Sequence, residues 1–90
     1  MPLSDTLSKR SVLEQLVEQK DLVVHNDDFN TFDYVIETLV KVCGHEKIQA
    51  EQCAYIIHHK GKCQVKRGEL KELVLMCTAL LDKGLTAEIE

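Results

Sequence analysis

The sequence predicts a small α+β domain, with three helices covering one face of a three-stranded antiparallel sheet in the order β-α-α-β-α-β. Three observations lead there. Ninety residues leave room for one core only. Three stretches repeat apolar residues at helical spacing, and each is closed by a glycine. Short β-branched or alternating runs lie around them, and helices gathered against such strands make a two-layer domain. Apolar residues make up 44% of the chain but aromatics only 4%, with no Trp and one Pro. The core must therefore be built from Leu, Val and Ile, and disordered or fibrous classes are excluded.

Residues 1–20 mix Ser, Thr and charge around one weak helical stretch, Val12 to Glu18, and read as a mobile tail ahead of a core over 21–90. Leu22, Val23 and Val24 form a β-branched run stopped by His25-Asn26-Asp27-Asp28, so a strand is expected over 21–26. Asn30 has the character of an N-cap, with Asp33 in the acidic first turn. Phe32, Val35, Ile36, Leu39, Val40 and Cys43 then follow at helical spacing up to Gly44, with Asp33, Glu37 and Lys41 on the other side.

A second helix, 46–60, sets Ala50, Cys53, Ala54 and Ile57 on one face and stops at Gly61. From Lys62 to Lys66 the pattern alternates, Cys63 and Val65 against Lys62, Gln64 and Lys66, as in a strand with one wet face. A third helix, 69–83, carries Leu70, Leu73, Val74, Cys77 and Leu81 as its stripe and closes at Gly84. Residues 85–90 give the last strand.

A net charge of -4 with dispersed Lys and Arg argues against nucleic acid, which needs a basic face. No apolar run approaches the roughly 20 residues of a membrane span, and MPLSDTLSKR lacks the apolar segment of an export signal. A cytoplasmic, monomeric protein is expected. Cys43, Cys53, Cys63 and Cys77 contain no C-x-x-C pair, and they read as reduced thiols, mostly in the core.

Three polar features stand out: His25-Asn26-Asp27-Asp28, the pair His58-His59, and Cys63. The first could be a plain strand-to-helix turn, since Asn and Asp bond their own backbone. At about 100° per residue from Ala50, His58 falls near 80° and His59 near 180°. His58 is thus expected to edge the core and His59 to face water. A zinc set of His58, Cys63 and Cys53, with Cys43 or His45, matches none of the usual ligand spacings. A Cys63-His58 nucleophile pair lacks any recognisable oxyanion arrangement. No cofactor and no catalytic residue are expected.

The stretch VVHNDDFNTFDYVIETL, followed by His58 and Gly61-Lys62, closely resembles the ClpS family, small adaptors of Clp proteases, over roughly 21–90. The resemblance implies a protein that is not an enzyme. It would bind the first residue of chains beginning with Leu, Phe, Tyr or Trp and pass them to the N-terminal domain of a hexameric Clp AAA+ ATPase. By position, Asn26, Asp27, Asp28 and His58 would hold the substrate's α-amino group. Asn30, Phe32, Val35, Ala54, Ile57 and Leu85 would form the pocket for its side chain. An α-amino group is a cation with three donors, so carboxylate, amide oxygen and imidazole nitrogen are suitable partners. Where most members carry Thr-Pro and two Met residues, this chain has Asn30-Thr31, Phe32 and Ala54, which implies a bulkier rim over a smaller floor. The different-class alternative is a general interaction module using the third helix, where Leu75 and Met76 lie partly off the stripe.

Overall fold

The computed structural model describes residues 11–90; the first ten residues of the expected tail lie outside this range. Residues 11–17 are helical, as the weak 12–18 periodicity suggests. The chain then runs β1 (Gln19–His25), α1 (Phe32–Cys43), α2 (Lys47–Lys60), β2 (Lys62–Glu69), α3 (Leu70–Asp82) and β3 (Thr86–Ile89). The sheet order is β2-β1-β3, antiparallel throughout. Its inner face meets the three helices through Leu22, Val24 and Val65, which join Leu39, Leu73 and Leu80 in one aliphatic core. Among the described residues, no helix is long and apolar enough to cross a membrane.

Several boundaries differ from the sequence reading. β1 starts two residues early, because Gln19 and Lys20 pair with Glu69 and Gly68; polar residues can extend a ladder that hydropathy alone does not reveal. For the same reason β2 continues past Lys66 to Glu69. A bulge opposite Leu22 and Val23 shifts the alternation there. The cap of α1 is Thr31, whose hydroxyl accepts from Tyr34 N–H at 3.1 Å, rather than Asn30, whose side chain is used elsewhere.

Helix faces match unevenly. In α2 the buried residues are Ala50, Cys53, Ala54 and Ile57, as expected. In α1 Thr38 is buried while Phe32 and Val40 are exposed. In α3 Leu73, Cys77 and Leu80 are buried, whereas Val74 and Leu81 face out. Neighbouring leucines 80 and 81 are equivalent to a periodicity argument, and only the angle at which α3 crosses the sheet separates them.

Candidate functional site

The polar residues singled out in the sequence gather where three connections meet: β1 to α1, α2 to β2, and α3 to β3. Asn26 N–H donates to the Gly61 carbonyl at 2.8 Å, and Gly61 N–H donates to Ile57 O at 3.0 Å. Gly61 ends α2 at φ 93°, a left-handed conformation that favours glycine. The loop leaving β1 is thereby tied to the last turn of α2, the turn that carries His58.

Within the loop, Asp27 is the organiser. Its Oδ1 accepts from Phe29 N–H and Asn30 N–H, both at 2.9 Å. Its Oδ2 accepts from the Asn30 amide at 2.8 Å and the Thr86 hydroxyl at 3.1 Å. A carboxylate has about four acceptor positions, so Asp27 has little left for a ligand. Asp27 thus holds the turn that places its neighbours. Burial pushes the Asp27 carboxyl up, but the hydrogen bonds from Asn30, Phe29 and Thr86 outweigh it and hold the group below its ordinary value of 3.8.

Asn30 also donates to the Gly84 carbonyl at 2.9 Å, and Tyr34 donates its hydroxyl proton to Lys83 O at 2.6 Å. Both bonds fasten the start of α1 to the turn before β3. Tyr34, Thr86 and Gly84 were not singled out for these roles by sequence reasoning. Their partners lie 49 to 59 residues away, beyond any local pattern.

Asn26 and Asp28 are exposed on either side of Asp27, and Phe29 stands 93% exposed beside them. His58 is exposed as well, which corrects the helical wheel that set it at the core edge. A wheel measures direction alone, whereas exposure depends on what packs there. His59 lies against Tyr55 with ring centroids 4.1 Å apart and planes tilted by 41°, and meets His58 edge-on at 5.1 Å.

The apolar residues of the expected pocket divide into floor and rim. Val35, Ala54, Ile57 and Leu85 are all buried within the core cluster. Asn30 is half-buried, while Phe32 stands 44% exposed. Phe32 borders two open grooves on the outer side of α1 and α2. One, of about 590 Å³, runs along Ile36 and Val40; the other, of about 540 Å³, runs along Ile48, Tyr55 and Ile56.

All four cysteines are free, and Cys43, Cys53 and Cys77 are buried. Burial pushes the Cys43 thiol up to about 11, and burial followed by the neighbouring Cys53 pushes Cys63 up to about 12. Such thiols are poor nucleophiles at neutral pH. Among the described residues, the zinc set considered from sequence does not come together; a different group, His25, Glu88 and Glu90, does.

Comparison with known proteins gives the family and the fold. Residues 15–88 match the family model described as ATP-dependent Clp protease adaptor protein ClpS. The chain belongs to the ClpS family. The adapter protein ClpS of Streptomyces coelicolor is 31% identical over 68 residues, covering 76% of this chain and 71% of the relative. ClpS of Streptomyces avermitilis is also 31% identical over 68 residues, 76% of this chain and 65% of its own. ClpS of Hydrogenovibrio crunogenus is 33% identical over 57 residues, 61% and 55% of the two chains. The matches thus span between about half and seven tenths of these relatives' lengths.

The fold is also that of Agrobacterium tumefaciens ClpS2 bound to L-phenylalaninamide. That structure has a TM-score of 0.78 and 18% identity, and covers 81% of this chain and 95% of ClpS2. The small α+β domain with a three-stranded antiparallel sheet is therefore a ClpS fold, and the family is one of Clp protease adaptors.

Proposed function

We propose that this ClpS-family chain is an N-degron adaptor, which captures proteins by a bulky apolar first residue and delivers them to the N-terminal domain of a Clp AAA+ ATPase. The observation that carries the reading is the Asn26 to Gly61 hydrogen bond, which ties the Asn-Asp-Asp loop to the end of the helix bearing His58. Asn26 Oδ1, the Asp28 carboxylate and a ring nitrogen of His58 supply the acceptors for the three N–H donors of an α-amino group. Asp27 keeps the turn in shape.

The first side chain packs over Val35, Ala54, Ile57 and Leu85, with Asn30 and Phe32 at the mouth. The rotamer of Phe32 sets the opening, and the small Ala54 leaves depth beneath it. Phenylalaninamide, the ligand of the related ClpS2, has the two features this site would read: a free α-amino group and a bulky side chain. Burying a Leu or Phe side chain contributes roughly 1.5–3 kcal/mol, so with charge-assisted contacts the affinity falls in the micromolar range.

Fluorescence anisotropy with peptides beginning Leu, Phe, Tyr, Trp, Met or Ile, each beside its N-acetylated form, tests the reading. Acetylation should abolish binding; equal binding of both forms overturns it. The exposed Val74, Leu75 and Leu81 of α3 favour a second reading, an interaction module without first-residue recognition. Tight binding of end-blocked, helix-forming peptides would support that instead.

A further inference from the structure

The outward face of the sheet carries a group that the N-degron reading does not use. β1 is the central strand, and its register places His25 between Lys62 of β2 and Thr86 of β3. Residues two apart on a strand share a face, so Thr86 and Glu88 lie on the side of His25. Glu90 continues the edge: its N–H donates to Asp21 O at 2.8 Å, and Asp21 N–H donates to Glu90 O at 3.0 Å. The three side chains thus come from β1, from β3 and from the residue that follows β3.

Their geometry is tight. The His25 Nε2 and Glu88 Oε1 atoms lie 2.7 Å apart. One ligand atom each from His25, Glu88 and Glu90 falls within 4.8 Å of the other two. The neighbouring cation is Lys62, whose Nζ reaches Glu90 at a long 3.4 Å. Two glutamates on one edge, facing one imidazole and one loosely held ammonium, leave negative charge that a compact divalent ion would neutralise better. All three side chains remain partly open to solvent, so an ion can enter.

We propose that His25, Glu88 and Glu90 bind one divalent transition-metal ion of the zinc class and so clamp β1 to β3. The donor set decides the class. An imidazole nitrogen with two carboxylate oxygens suits zinc and its neighbours, whereas calcium and magnesium favour oxygen alone. Around a tetrahedral ion with bonds of about 2.1 Å, ligand atoms stand about 3.4 Å apart. The glutamates close that distance by side-chain rotation, and His25 exchanges its contact with Glu88 for the metal. Water fills the fourth position. Lys62 is displaced from Glu90, so it acts as a competitor. The clamp lies at the root of the loop, since Asn26 follows His25 and Thr86 bonds Asp27. Local sequence patterns miss the site because His25 and Glu88 are 63 residues apart.

Calorimetric titration of the reduced full chain with zinc chloride tests this. One equivalent should bind and raise the melting temperature. Glu88→Gln and Glu90→Gln, both at exposed positions where the fold should persist, should each weaken binding about tenfold or more, while Lys62→Met should tighten it. Amide exchange at Glu88 and Glu90, the β3-side positions whose N–H groups face β1 in the antiparallel ladder, should slow with zinc in the parent and not in Glu88→Gln. The absence of saturable binding overturns the proposal. So does binding that survives both Gln substitutions together but is lost in His58→Gln with His59→Gln, or zinc binding that leaves exchange in β3 unaltered.

Discussion

The two ends of the α1–α2 hairpin are made from similar parts and finished in opposite ways. At the closed end, Gly44 stops α1 at φ 69°, and the next residue, His45, turns inward. Its side chain is buried, with Nε2 2.6 Å from the Val65 carbonyl of β2, while its Nδ1 has no partner among the described residues. At the other end, Gly61 stops α2 in the same left-handed region, yet Asn26, Asp28 and His58 stay exposed. Hydrogen bonds at the first end join a side chain to a strand and close the core. Those at the second run through the backbone and the side chains of Asp27, Asn30, Tyr34 and Thr86, and Asn26, Asp28 and His58 are left exposed. The position of a polar side chain relative to its fixed backbone separates a structural polar end from one that can receive a ligand.

The largest effect should come from a substitution that treats both ends alike. Leu39, fully buried in α1 between them, should cost about 2–5 kcal/mol when changed to Ala. Urea unfolding should then show one transition at a lower midpoint, and separate transitions for the two ends would contradict a shared core. Next, His45→Ala should cost about 1–3 kcal/mol by leaving the Val65 carbonyl without its partner. Peptide anisotropy should be unchanged, because the closed end lies outside the proposed binding site.

Asp28→Ala should do the reverse. The urea midpoint should stay in place, while affinity for a Leu- or Phe-initiated peptide falls about tenfold or more. A stability loss matching the binding loss would place Asp28 with Asp27 as a scaffold residue. The smallest effect concerns acid. Asp27 has a folded-state carboxyl held below 3.8, so it contributes stability that is present above its unfolded value and lost as pH falls through the folded one. Asp27→Asn should therefore flatten the stability profile below about pH 4, read by thermal melts across that range. An unchanged acid limb would show that the four hydrogen bonds to this carboxylate are not formed in solution.

Much of the fold was legible because helix and strand periods are local. The stripe of α2 and the stops at Gly44 and Gly61 follow from spacing within a few residues. The stripe of α3 was placed one position off at Leu81, since adjacent leucines differ only in what packs against them. At the candidate site, Asn26, Asp28 and His58 could be singled out by residue type and family resemblance. The exposure of His58 and the structural commitment of Asp27 could not, because both depend on which distant segments arrive beside them.

By itself, the sequence determined an aliphatic, single-core α+β domain of the ClpS family, with its candidate polar residues at 25–28 and 58–59. Hydrophobic periodicity, glycine stops and turn-forming residues act over short separations, so they can be read directly. Only the tertiary structure decided the division of labour among those polar residues. Thr86 and Gly84 reach the loop across more than fifty residues. Sheet pairing likewise brings Glu88 and Glu90 to His25. Hydrogen bonds and metal ligands require atoms within a few ångströms of one another, and for residues far apart in sequence only the folded chain sets that separation.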